Sequence, residues 1–89
     1  MHNMVYLIGR MKSLKGNYME IAVQRAFKNE KGIYETDIID CETEGQVGER
    51  LREYCGKGDL IGIKGRLRQG GIVMIEKASF LTSKRKEEE

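Results

Sequence analysis

Eighty-nine residues and 10.2 kDa accommodate one domain, with a core limited by a chain that buries only about two-thirds of its unfolded surface. Hydrophobic residues at 39% and charged residues at 34% describe a soluble globular chain and exclude a disordered one. The net charge of +2 hides a division: residues 1–34 carry +4, residues 35–56 carry −5, residues 57–86 carry +6, and Glu87, Glu88 and Glu89 subtract three. That basic–acidic–basic order still permits one positive face, which favours nucleic acid among anionic partners.

Residues 4–12 are β-branched and aromatic, and from Met4 to Ile8 both parities are apolar, so the spacing predicts a strand covered on both sides. After a polar loop with Gly16, residues 18–27 alternate. Met19, Ile21, Val23 and Phe27 share one parity while Glu20 and Gln24 take the other, as in a half-buried strand. Residues 28–32 form a hairpin loop ending in Gly32, and residues 33–43 form the partner strand. The period then lengthens: Val47, Leu51, Tyr54 and Cys55 make one helical stripe. Thr43 and Gln46 fit a capping box at its start, and Gly56 supplies a left-handed stop at its end. Residues 59–68 return to period two, with Ile61, Ile63 and Leu67 facing in and Lys64, Arg66 and Arg68 facing out. A tight turn at residues 69–71 leads to a closing strand over residues 72–81.

Three strands, a helix and two strands give an all-β fold with one helix. This is the layout of an OB-fold, a five-stranded Greek-key barrel with its helix between strands 3 and 4. Glycines at 9, 62 and 65 suit coiled barrel strands better than the alternative, an unclosed five-stranded sandwich. One domain over residues 3–81 is expected, followed by a charged, fraying tail at 82–89. No apolar run approaches the ~20 residues of a membrane helix, and the start lacks the layout of a signal peptide. Cys41 and Cys55 read as reduced core thiols, because two cysteines and His2 make no zinc set. The acids Glu35, Asp37, Asp40, Glu42 and Glu44 are spread along a strand without metal-loop spacing. No metal, no cofactor and no enzyme activity are expected, for there is no nucleophile–base pair, phosphate loop or interior histidine.

Residues 3–10 (N-M-V-Y-L-I-G-R), residues 21–27 (I-A-V-Q-R-A-F), residues 36–41, residues 51–58 (L-R-E-Y-C-G-K-G) and residues 61–67 (I-G-I-K-G-R-L) fall in an order and spacing covering nearly all of residues 3–81. On these segments the chain resembles the bacterial single-stranded DNA-binding protein (SSB) family. The resemblance implies binding of single strands by base stacking in a basic groove, in DNA replication, recombination or repair. It makes Phe27 a stacking position, puts Arg25 in the same matched strand, and sets Lys57 and Arg68 near the phosphates, with Lys64 and Arg66 extending the basic face. It also implies self-association through the first strand, as a homotetramer or homodimer. An apolar edge too large for one small barrel to cover agrees, and Met4, Tyr6 and Ile8 are the interface candidates.

The chain departs from the family where Ile38 and Glu44 replace stacking aromatics, where residues 69–71 replace a long loop, and where an acidic tail with an apolar tip is missing. Phe27 is therefore either a base platform or a core residue of its strand's apolar parity. Tyr34 is either a substitute platform across the hairpin or a half-buried strand tyrosine. Lys64, Arg66 and Arg68 are either an anion-binding face or a solvated one. Single-stranded DNA, with RNA accepted by the same stacking, is the expected partner. The location expected is the bacterial cytoplasm, at the nucleoid, from a host, phage or mobile-element gene. The alternative is an interaction module like primosomal protein B, which resembles this family and bridges replication proteins.

Overall fold

A computed structural model describes residues 2–82 of the chain. The order is β1 (Val5–Lys15), β2 (Tyr18–Lys28), β3 (Tyr34–Glu42), α1 (Gln46–Tyr54), β4 (Leu60–Leu67) and β5 (Val73–Phe80). The strands close into a barrel in the order β1-β2-β3-β5-β4, which excludes the open sandwich. Every pairing is antiparallel except the seam between β3 and β5, a short parallel contact of Cys41 with Val73 and Glu42 with Met74.

β1 serves two neighbours in turn. Its first half pairs with β4, from Val5↔Gly65 to Arg10↔Leu60, and its second half pairs with β2, from Arg10↔Ala22 to Lys15↔Tyr18. Changing partners demands a bend, and two glycines allow it. A Cβ on Gly9 would run into the Ala22 carbonyl, and one on Gly65 into the Met74 carbonyl. Gly62 differs, since its Cβ would meet only ordinary contacts, the nearest at 3.7 Å from Ile8.

The barrel is filled by Met11, Met19, Ile21, Cys41, Ile61, Ile63, Val73 and Ile75, and α1 closes one end with Leu51, fully buried. Cys41 and Cys55 are both buried and not joined in a disulfide, and burial, with the charge of Asp40 adding, pushes the Cys41 thiol up to about 12.

Both expected helix caps are replaced. Gly45, at φ 65°, is the N-cap, and no side chain bonds the first turn. Thr43 lies buried, its N–H and its hydroxyl both donating to the Asn17 carbonyl at 2.8 and 3.5 Å, so the hydroxyl is committed to the β1–β2 turn. At the other end Gly56 has no left-handed backbone; Gly58 does, at φ 90°. The helix ends at Cys55, whose extended backbone still donates its N–H to the Leu51 carbonyl, and the Gly56 N–H donates to the Asp59 carboxylate at 2.7 Å. Tyr54, expected on the buried stripe, is 43% exposed, with its ring centroid 6.0 Å from that of Phe80.

Two further expectations change. Leu67 is 51% exposed instead of facing in, at the last residue of β4. The first strand is covered on one face only: Val5 and Leu7 are half-buried, whereas Met4, Tyr6 and Ile8 are 58%, 70% and 63% exposed. At the C-terminal end Thr82 is tied to Leu60 by its own N–H and by its hydroxyl, at 3.2 and 2.9 Å. The rest of the expected tail lies outside the described residues.

Candidate nucleic-acid interface

The β2–β3 pair outruns the barrel. β1 lines β2 only as far as Ala22, and β5 meets β3 only at Cys41 and Glu42. Met19, Ile21 and Cys41 therefore face a filled core. Beyond Gln24 the register shifts, with two extra residues of β2 between the Gln24↔Thr36 and Lys28↔Tyr34 pairs, and this irregular stretch carries Arg25 and Phe27 exposed to solvent. Phe27 is 84% exposed, which removes the core alternative. An apolar ring held open to water at the end of a ribbon is a surface on which a flat apolar group can stack.

Side chains brace the ribbon. Arg25 grips Asp37 with two hydrogen bonds of 3.0 Å and reaches Glu35 at 2.8 Å. The Arg25 hydrogen bonds hold the Asp37 carboxyl below the usual carboxylate range. At the tip the Asn29 carboxamide oxygen accepts from the N–H groups of Lys31 and Ile33, its NH2 donates to Glu35, and Gly32 turns at φ 79°. Tyr34 stands opposite Lys28, whose ammonium lies 5.6 Å from the ring centroid. Phe27 precedes Lys28 inside the irregular stretch of β2, so both rings stand on the outer part of the ribbon. Ile33 and Ile38, at 56% and 43% exposed, add apolar surface.

The expected basic face is divided. Arg66 pairs with Glu76 at 3.0 Å and Arg68 with Glu42 at 2.6 Å, carboxylates contributed by β5 and β3. Lys64 sits across from Tyr6, its ammonium 5.9 Å from the ring, in a shallow groove of about 270 Å³ shared with Ile8, Lys77 and Leu81. Lys64 thus keeps company with the interface candidates Tyr6 and Ile8, which share an exposed apolar face with Met4, and not with Phe27. Lys57 lies exposed in the turn after α1, at the other end of the barrel, where Lys12, Lys15 and Arg52 join it around a groove of about 410 Å³. Sequence reasoning missed those three, although the excess positive charge of residues 1–34 includes two of them. Beside the ribbon a groove of about 480 Å³ is lined by Ile8, Gly9, Arg10, Ala22, Gln24, Thr36 and Leu60, with Arg10 its one charged residue. Glu20 and Asp40 face each other across the strands near Tyr18, and like charges there repel phosphate.

Among the described residues no group of three or more His, Cys, Asp or Glu could hold a metal ion, and no helix is long and apolar enough to cross a membrane.

A family model described as the single-strand binding protein family matches residues 3–78. Single-stranded DNA-binding protein B of Bacillus subtilis is 32% identical over 77 residues, covering 75% of this chain and 68% of the relative. Single-stranded DNA-binding protein 3 of Streptococcus agalactiae is 38% identical over 77 residues, covering 75% of this chain but 56% of the relative. The chain thus matches a little over two-thirds of the first relative's length and a little over half of the second's. Among solved structures, a small single-stranded DNA-binding protein from Streptomyces coelicolor superposes with a TM-score of 0.73 at 13% identity, over 90% of this chain and 94% of that one. The protein PriB from Ralstonia solanacearum superposes with a TM-score of 0.69 at 9% identity, over 92% and 100%. At such identities the superpositions speak for a shared fold.

Proposed function

The chain belongs to the single-strand binding protein family, and on that premise we propose that it binds single-stranded DNA by stacking bases on the β2–β3 arm. The observation that carries this reading is Phe27, 84% exposed at the end of a braced ribbon. Tyr34, 45% exposed across the same ribbon, offers a second platform. Lys57 and Lys64 supply positive charge. Arg25, Arg66 and Arg68, each engaged by carboxylates, chiefly hold strands together. Stacking is worth ~1–3 kcal/mol per base and accepts any base, which suits protection of strands exposed in replication, recombination or repair at the nucleoid.

The exposed face of Met4, Tyr6 and Ile8 supports self-association about a two-fold axis, a dimer or a tetramer. Light scattering should give a multiple of the 10.2 kDa chain mass, and a monomer at micromolar concentration would contradict it.

A specific observation favours a second reading, an interaction module that bridges replication proteins. Glu20 opposite Asp40, with Glu44 exposed close by in sequence, puts negative charge where a strand could otherwise run. Fluorescence anisotropy decides between the two. The wild-type protein is titrated into labelled oligo-dT with duplex and RNA competitors, at low and physiological salt. Salt-sensitive binding that duplex does not displace supports single-strand binding. Binding that vanishes at physiological salt, or ignores strandedness, favours the interaction module.

A further inference from the structure

We infer that the groove at the α1 end of the barrel, ringed by Lys12, Lys15, Arg52 and Lys57, anchors phosphates of the bound strand. This deepens the single-strand reading and rests on it, assigning the backbone contacts to a site remote from the stacking arm.

Four cations from three separate segments converge there. The β1–β2 register slips between Met11 and Ser13, leaving Lys12 as an extra residue in β1, and Lys15 ends that strand. Arg52 comes from the last turn of α1, and Lys57 from the turn that follows. Together they border a groove of about 410 Å³ floored by Met11 and Cys55. Backbone bonds fasten the pieces to one another. The Gly58 N–H donates to the Met11 carbonyl at 2.8 Å, the Met11 N–H to the Asp59 carbonyl at 2.9 Å, and the Arg52 guanidinium to the Gly16 carbonyl at 2.8 Å.

These cations differ from the others in what opposes them. Arg25, Arg66 and Arg68 are each matched by a carboxylate within 3.0 Å. Among the described residues, Lys12, Lys15, Arg52 and Lys57 form no salt bridge. Two acids on the flanking segments are engaged elsewhere: Glu20 accepts from the Ser13 hydroxyl at 2.9 Å, and Asp59 accepts the Gly56 N–H. A basic residue in the last turn of a helix is explained by the helix dipole, which accounts for Arg52 but not for two lysines on a strand. Concentrated positive charge without counter-charge is stabilised by an anion from outside, and for a strand already stacked on the arm that anion is its own phosphate. The groove adjoins the first residues of β2 and Phe27 lies near its last, roughly 30 Å away at ~3.3 Å per strand residue.

The test compares the wild-type protein, the Lys12→Gln/Lys15→Gln double variant and Phe27→Ala, each shown by thermal melting to be folded. Oligo-dT affinity is measured over a series of salt concentrations. For a single strand each phosphate contact contributes about 0.7 to the slope of log affinity against log salt. The double variant should shallow that slope by about 1.4, whereas Phe27→Ala should lower affinity and leave the slope alone. Inorganic polyphosphate, which cannot stack, should shift the amide signals of residues 12–15 and 56–58. A slope untouched by the double substitution, with no polyphosphate shift, overturns the phosphate site while dT binding by the wild type keeps the single-strand reading. Polyphosphate binding without any dT binding overturns the single-strand reading and keeps a phosphate site. A poly-glutamate peptide that binds the groove more tightly than polyphosphate would assign it to an acidic protein and overturn the proposal.

Discussion

Along the stretch where Met19 faces Cys41 and Ile21 faces Ile39, the β2–β3 pair has β1 on one side and touches β5 on the other. From Gln24 to Thr36 the same two strands have no further neighbour, and almost every residue is exposed. Ile21 and Phe27 share sequence parity in one strand, yet one is 0% and the other 84% exposed. Burial is decided by the strands alongside, not by the alternation itself. Apolar groups in the inner half hold the barrel together, and those in the outer half are free to meet a ligand.

Ile21→Ala probes the inner half and should have the largest effect. Removing that fully buried side chain should cost about 2–5 kcal/mol, a large fraction of a small domain's total, read by urea or thermal denaturation. Phe27→Ala probes the outer half and should invert the pattern. Its melting temperature should stay within about 0.5 kcal/mol of the wild type in stability terms, while oligo-dT affinity falls by ~1–3 kcal/mol, roughly five- to 150-fold. If both substitutions lowered stability alike, the arm would be part of the packed body and the comparison would fail.

A pH series sharpens the inner half. Cys41 is held protonated by burial, with its value pushed up to about 12 from 9.0. The sign follows from which state releases the proton first: an unfolded thiol ionises near 9 and the folded one does not. Its contribution to stability is complete below pH 9 and declines as pH rises toward 12. Unfolding free energy should therefore fall more steeply with alkaline pH in the wild type than in Cys41→Ala. The smallest effect concerns the brace of the arm. Arg25→Gln should leave the melting temperature nearly unchanged and increase backbone motion over residues 24–36 in NMR relaxation. Because Arg25 lowers the Asp37 carboxyl, the same loosening should appear in the wild type as pH falls below the ordinary value of 3.8.

Much of this organisation can be read from the chain. The number, order and approximate limits of the strands follow from period two, and the helix from its longer stripe. Gly9 and Gly65 mark the places where strands approach too closely for a Cβ. What escapes is what depends on partners far away in sequence. Thr43 looks like a helix cap because Gln46 is near it, but its hydroxyl is committed to Asn17. Arg66 and Arg68 form a cationic row with no acid among them, yet Glu76 and Glu42 arrive from neighbouring strands. Phe27 keeps core parity past the point where the core ends, and parity alone does not reveal that point. Lys12 and Lys57 are far apart in the chain, and only barrel closure and the bulge in β1 bring them to one groove.

The overhanging half of the β2–β3 ribbon is the part of the molecule proposed to meet the nucleic acid. Amide chemical-shift mapping of the wild-type protein against unlabelled oligo-dT tests it most directly. The largest shifts are predicted at residues 24–36, with a second set at residues 12–15 and 56–58. Saturable dT binding whose shifts fall on residues 4–8 and 60–66, leaving the arm unmoved, would contradict it.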